Sequence, residues 1–176
     1  QEDGPPIVLD MATSAIAQGK VRVAYNQGVP VGEGALIDHE GAPTTDPAVM
    51  FEEPKGALGP FGKHKGYGLG LMCELLGGGL AGEWTAAQAS HEEQGFSIIN
   101  HMLMLVLDPD LFGGADGFRR EVADMVDYLQ STNPAVGTER VMVPGEPEIA
   151  AMETRRAEGI PIDDNTWAAI LKSAEV

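Results

Sequence analysis

The chain has 176 residues, of which 11 are Lys or Arg and 27 are Asp or Glu, giving a formal charge of −16 at pH 7. Apolar residues make up 43% and charged residues 22%, a globular balance that excludes a mainly disordered chain. The acidic surplus argues against binding nucleic acid or an anionic membrane, since both need clustered Lys and Arg.

The opening stretch has no Met, no basic segment and no apolar leader. It runs straight into Ile7-Val8-Leu9, so Pro6–Met11 reads as a buried strand. A strand that begins this abruptly usually pairs with strands encoded upstream. The chain therefore reads as a piece of a larger unit, or as a natural short protein. Met11–Lys20 reads as a short helix or turn that Gly19 ends, and Lys20–Gln27 as a weaker helix. Gly28–Pro43 is loop-rich, with one apolar stretch at Ala35–Ile37. Asp38-His39-Glu40-Gly41 signals a turn, and Thr44-Thr45-Asp46-Pro47 a capped turn.

The most distinctive segment is Gly56–Leu71. A Gly-rich loop carrying Lys63, His64 and Lys65 runs into an apolar stretch. Tyr67, Leu69, Leu71, Met72, Leu75 and Leu76 line more than one face, the pattern of a largely buried helix ending at Gly77-Gly78-Gly79. Gly66, Gly68 and Gly70 each cost such a helix about 1 kcal/mol relative to Ala. Close packing, or the close approach of a ligand, accounts for that cost. Glu83–Gln94 is polar. Phe96–Leu107 reads as a long buried strand closed by Asp108-Pro109-Asp110, too short to cross a membrane as a helix. Phe118, Val122, Met125, Val126 and Leu129 mark an amphipathic helix. Val141–Val143 is a short extended piece. Glu146–Glu158 reads as a charged helix ended by Gly159, and Thr166–Ala174 as a terminal helix capped by Asp164 or Asn165.

A Gly-rich loop feeding a helix offers free N–H groups and the positive end of the dipole to an anion. Lys63 and Lys65 add charge there. Neither GxxxxGK[ST] nor GxGxxG is present, so the loop reads as an anion site or as a tight turn with two solvated lysines. Asp10, at the end of a strand, reads as a site-edge carboxylate or as a helix cap. Thr13 and Ser14 read as caps or as phosphate-contact hydroxyls, with the caps favoured. His39, His64, His91 and His101 show no zinc-ligand spacing. His39 and His91 read as solvated and His101 as structural, leaving His64 as the candidate. Cys73 stands alone, so it forms no internal disulfide and reads as a buried small residue. No GxSxG elbow or paired-carboxylate signature appears.

Four segments, Val8–Ser14 (VLDMATS), Gly19-Lys20, Gly41–Pro47 (GAPTTDP) and Gly62–Leu69 (GKHKGYGL), occur in an order and spacing that resemble the malate/L-lactate dehydrogenase family. The resemblance extends to Asp108-Pro109 and Pro144-Gly145-Glu146, so it covers nearly the whole chain. It implies an α/β fold distinct from the Rossmann fold: a mixed sheet flanked by helices, incomplete without an N-terminal half. Residues 1–114 would form part of the NAD(P)-binding domain. Residues 115–176 would be a helical segment packing on that domain and on the missing region.

The implied reaction moves a hydride between the nicotinamide of NAD or NADP and C2 of a 2-hydroxy or 2-keto acid. Asp10, Met11 and Ala12 would line the cofactor pocket. His64 and Lys65 would approach the cofactor's phosphate or ribose, Gly145-Glu146 would add a backbone contact, and Glu121 would reach the nucleotide. No metal is implied. The family takes its catalytic histidine and its substrate-gripping arginines from the N-terminal half, and none of the four histidines here occupies that catalytic position. The chain is then part of an active site. Its implied partners are the acid substrate, the missing half and a second copy in a homodimer, in the cytoplasm. Two other readings stand beside this one. The first is a non-catalytic truncated paralogue or assembly subunit. The second is a small, complete acidic protein that binds an anionic metabolite.

Overall fold

The computed structural model describes residues 4–82, 85–89 and 100–174. Its contacts divide it into two compact units. One combines residues 12–104 with 162–176, and the other combines 1–11 with 105–161.

The first unit holds the sheet. Helix α1 spans Gln18–Gln27 and ends where Gly28 turns left-handed at φ 67°. Gly19 lies inside its first turn and does not stop it; the expected Lys20–Gln27 piece forms and starts two residues earlier, whereas Met11–Ala17 is not helical. Strands β1 (Leu36–Ile37), β2 (Pro43–Thr44) and β3 (Ala57–Leu58) form an antiparallel sheet in the order β2-β1-β3. Leu36 pairs with both Thr44 and Leu58. Strands this short gain little from their ladders. The unit is held by the core that α1 packs onto β1, where Val21 and Leu36 are 0% and 1% exposed. Phe51 closes one edge. The Arg22 guanidinium stacks 3.6 Å from its ring centre, and the Tyr25 ring lies 4.9 Å away.

The expected turns form as read. The Asp38 carboxylate accepts from the Glu40 and Ala42 N–H groups at 2.9 Å each, and Asp46 caps the 3-10 turn Pro47–Met50. Helix α6 (Asp164–Ala174) docks on α1, where Asn26 Nδ2 donates to Thr166 Oγ1 at 2.9 Å. Its cap is Asp163, not Asp164 or Asn165. The Asp163 carboxylate accepts from the Thr166 N–H at 2.9 Å and the Thr166 hydroxyl at 2.7 Å.

Helix α2 spans His64–Cys73. It does not stop at the glycine triplet. It widens into a π-helical turn over Glu74–Leu80 that runs through Gly77-Gly78-Gly79. The expectation of a largely buried helix fails. Gly66 is its one buried residue, and Tyr67, Leu69, Leu71, Met72 and Cys73 are exposed. The reason is geometric: α2 meets Thr13 and the loop before it along Gly66 and Gly70, and its other faces are left uncovered. A short helix α3 (Ala86–Ala89) follows, and most of the Glu83–Gln94 stretch lies outside the described residues.

The second unit contains a 3-10 turn at Pro109–Leu111 capped by Asp108, then α4 (Ala115–Gln130) and α5 (Glu146–Glu158). Gly159, at φ 94°, ends α5 as expected. Val126 of α4 and Val143 are buried. Two expected strands do not form. Pro6–Met11 is exposed and carries no ladder beyond one bond, from the Val8 N–H to the Pro144 carbonyl at 3.0 Å. Residues 100–107 are likewise exposed and outside any ladder, while Phe96–Ile99 lie outside the described residues. A strand needs a neighbour to supply its hydrogen bonds, and the described residues supply no such neighbour to either segment. In place of a mixed sheet, the described residues are mostly helical, with one small antiparallel sheet.

Two outcomes follow for the helix glycines and the α6 cap. A Cβ on residue 66 would lie 2.6 Å from the Thr13 carbonyl oxygen and 2.7 Å from the Phe61 nitrogen, whereas one on residue 68 meets nothing within 4 Å. Gly66→Ala should therefore destabilise by about 1–3 kcal/mol, and Gly68→Ala should stabilise by up to about 1 kcal/mol. Thermal melts of the two variants check this. Bonds from Thr166 hold the Asp163 carboxyl below its ordinary pKa. Its contribution is therefore fully present above the ordinary value and is lost as pH falls through the lowered one. Protection of the Thr166 amide, taken relative to its intrinsic exchange rate, should fall in that acidic window, and Asp163→Asn should remove this pH dependence.

Candidate functional site

Two places gather the residues singled out from the sequence, one in each unit. The first is the start of α2. The segment Thr13–Ala15 runs beside the loop 59–62. The Phe61 N–H donates to the Thr13 carbonyl at 3.1 Å, and the Ala15 N–H to the Gly59 carbonyl at 2.7 Å. Gly62 and Lys63 then take consecutive left-handed conformations, at φ 52° and 57°. Lys63 is the one non-glycine residue with positive φ among the described residues. Lys65, Gly66 and Tyr67 donate back to Gly62, Phe61 and Lys63. The N–H groups of Lys63 and His64 have no hydrogen-bond partner among the described residues.

Charge and shape agree with an anion there. Neither Lys63 nor Lys65 forms an ion pair among the described residues, although the chain carries −16 overall. A groove of about 430 Å³ opens beside Lys63; Lys65 is not among its lining residues. Leu36, Ile37, Pro43 and Pro60 form its apolar side, and Lys63, His64 and Tyr67 its polar rim. Free N–H groups at a helix start plus two cations can hold a phosphate or carboxylate. The apolar side can take a flat, uncharged group. The costly glycines are also explained in part: Gly66 and Gly70 let α2 approach Thr13, while nothing approaches Gly68.

The second place is the turn that enters α5. Gly145 is buried at φ 100°, and a Cβ there would lie 3.2 Å from the Val8 nitrogen. Glu146 follows as the first residue of the helix. Its Oε2 accepts from the Val143 N–H at 2.8 Å. Its Oε1 accepts from Gln130 Nε2 at 3.0 Å and Arg140 Nη1 at 3.1 Å. The Val143 bond first, and Arg140 next, hold its carboxyl below the usual carboxylate range. Nothing in the spacing of Gln130, Arg140 and Glu146 marks them as a cluster, so sequence reasoning missed it.

The remaining candidates are placed as follows. Asp10, Met11 and Ala12 are exposed. Asp10 caps no helix, because α1 begins at Gln18 behind Ala17. Thr13 and Ser14 do not cap it either; the Ser14 hydroxyl donates to the Ile16 carbonyl at 2.7 Å. His64 and Lys65 stand together on the first turn of α2. Glu121 is exposed on α4, half a turn around the helix from Gln130 by helical geometry, and is not drawn to the Gly145 turn. His39 is exposed beside Glu40. His101 is exposed, outside any strand, with its ring against Gly82. His91 lies outside the described residues. Among the described residues no group of three His, Cys, Asp or Glu could hold a metal, and no helix is long and apolar enough to cross a membrane.

The loop-to-helix site and the order of motifs around it agree with a family match across the chain. Residues 1–171 match the malate/L-lactate dehydrogenase family, and the chain belongs to it. It is 42% identical over 174 residues to hydroxycarboxylate dehydrogenase B of Escherichia coli K12, covering 99% of this chain and 48% of that protein. It is 43% identical over 171 residues to an L-lactate dehydrogenase of Cupriavidus necator, covering 97% and 48%. Among solved structures, delta1-piperideine-2-carboxylate reductase from Pseudomonas syringae pvar. tomato superposes with a TM-score of 0.71 at 32% identity, over 97% of this chain and 49% of that one. The chain spans about half the length of the curated relatives it matches.

The Lys63 conformation offers a test of how the loop is held. A non-glycine residue in such a region costs on the order of 1–3 kcal/mol. Lys63→Gly should therefore raise stability by about 1 kcal/mol or more, since glycine adopts positive φ freely. Calorimetry on this variant checks it.

Proposed function

We propose that this chain is the cofactor-binding half of an NAD(P)-dependent oxidoreductase that moves a hydride between nicotinamide and a 2-hydroxy or 2-keto acid. The observation that carries this reading is the start of α2. There, the N–H groups of Lys63 and His64 and the side chains of Lys63 and Lys65 have no partners among the described residues, and Lys63 and His64 line an apolar groove in a strongly acidic chain. That donor set fits the phosphates and ribose of a dinucleotide. When bound, the dinucleotide supplies the hydride carrier in its nicotinamide ring.

The chain's own residues bind and orient it. His64 and Lys65 hold its phosphate or ribose part. By likeness to the family, Asp10, Met11 and Ala12 would line the cofactor pocket, Gly145 and Glu146 would add a backbone contact, and Glu121 would reach the nucleotide. The alkoxide that forms or breaks at C2 needs a proton partner. By likeness to the family, that histidine and the arginines that grip the carboxylate come from the rest of the full-length enzyme.

The same partner accounts for the uncovered apolar segments. Leu105 and Val106 are 79% and 84% exposed, and Ile7–Leu9 is exposed as well. A binding protein complete in itself would cover such segments, so they weigh against that reading. A homodimer of the full-length enzyme adds further cover.

The decisive experiment titrates NAD and NADP into the chain joined to its other half, with fluorescence or calorimetric detection. One dinucleotide should bind. Lys65→Ala should weaken it at least about threefold, the scale of one exposed charge contact. Absence of binding, or identical affinity in Lys65→Ala, sinks the reading.

A further inference from the structure

We propose that Glu146 is a positioning residue: its side chain fixes the turn Val143–Gly145 and, through it, the segment Val8–Met11, without touching the nucleotide. This rests on the cofactor reading above, which places Asp10 and Met11 in the pocket and gives residues 145–146 a backbone contact.

The geometry is a reciprocal clamp. The Glu146 N–H donates to the Val143 carbonyl at 3.2 Å, and the Glu146 carboxylate accepts from the Val143 N–H at 2.8 Å. One residue thus holds both backbone groups of its partner, and Pro144-Gly145 is pinned between them. The carboxylate is also tethered from two other directions, by Gln130 at the end of α4 and by Arg140 from the loop. Its side chain is only 18% exposed. The pinned turn then reaches the N-terminal segment. The Pro144 carbonyl accepts from the Val8 N–H at 3.0 Å, and Gly145 lies so close that a Cβ would press on Val8 and Pro6. Val8 is two residues from Asp10.

With three donors on its two oxygens, the carboxylate is committed to the fold. The motif alone makes Glu146 a ligand residue because it stands beside Gly145. The bonds give its side chain a different role, and its charge suits that role. Gln130 and the Val143 amide would tolerate a neutral acceptor, but Arg140 would not be held equally well.

The test uses the full-length enzyme, with hydrogen exchange read residue by residue and dinucleotide affinity measured in parallel. Glu146→Gln keeps an acceptor oxygen and is the variant most apt to stay folded; Glu146→Ala removes the clamp. The Ala variant should speed exchange at Val143 and Val8 selectively, with helices α1 and α2 unchanged, and raise the dinucleotide Kd about tenfold or more. Glu146→Gln should fall between it and the wild type. Val8→Pro deletes the Val8 donor. Combined with Glu146→Ala, it should weaken binding no further than the worse single variant, because both act through one turn. Additive losses would mean that Glu146 meets the nucleotide directly, and would overturn the proposal. So would unchanged exchange at Val143 and Val8, or exchange that rises everywhere. If the wild-type enzyme binds neither dinucleotide, the cofactor reading fails and takes the nucleotide role of this residue with it. The selective exchange still decides whether the clamp exists.

Discussion

Helix α2 lies this close to the Thr13 segment because residue 66 has no side chain; at residue 70 a Cβ would meet only the Thr13 side chain, at 3.2 Å. Backbone meets backbone there: the Thr13 carbonyl and the Phe61 amide sit where a Cβ at residue 66 would be. That contact fixes the loop 59–62 between the two elements. In that loop Gly62 and Lys63 take positive φ, and the N–H groups of Lys63 and His64 have no partner among the described residues. The helix-propensity cost of these glycines is thus the condition for the loop that precedes them, and Lys63 bears additional strain for the same reason. The candidate anion site is a consequence of packing before it is a matter of charge.

Charge then selects what such a site can hold. In a chain of −16, most of the surface repels anions. Among the described residues, Lys63 and Lys65 have no acidic partner, and they stand at a helix start whose first amides are also free. By contrast, Arg140 is drawn to Glu146 and Arg119 to Asp116, where each serves the fold. The start of α5 shows the opposite solution to the same problem. It too is a helix N-terminus after a left-handed glycine, but Glu146 already supplies the negative charge that the dipole favours. Two similar sequence features, a glycine turn before a helix, therefore act differently. What separates them is whether the chain places a carboxylate of its own at the helix start, as Glu146 does at α5, where it accepts from Val143, Gln130 and Arg140.

The parts of the fold legible in the sequence are those decided locally. Asp38, Asp46 and Asp108 form the turns and caps their neighbours signal, and Gly159 stops α5 where expected. The amphipathic spacing of Phe118 to Leu129 gives α4. The misread parts are those decided by distant residues. Pro6–Met11 and residues 100–107 have strand composition, but composition cannot supply a neighbouring strand. The same holds for α2: an apolar residue on every face means burial only where something covers every face. At the site, the Gly-rich loop with Lys63, His64 and Lys65 is legible because its residues are contiguous. The Gln130–Arg140–Glu146 cluster is not, because its members are brought together by the return of the chain from α4 to α5.

The misreadings share one cause, and it bears on function. Three apolar surfaces that a complete domain would cover are open: Ile7–Leu9, the outer faces of α2, and Met102–Leu107. Each flanks a segment that carries the family resemblance: Asp10–Ala12, His64-Lys65 and Asp108-Pro109. The chain also spans about half of each relative it matches. The cost of exposing apolar surface is about 25 cal/mol per Å², so these faces provide a driving force for association, two of them next to proposed cofactor residues. An enzyme assembled across such faces would couple completion of its core to completion of its active site. On the proposed reading, the half that brings the proton donor would also bury the apolar segments beside Asp10–Ala12 and His64-Lys65.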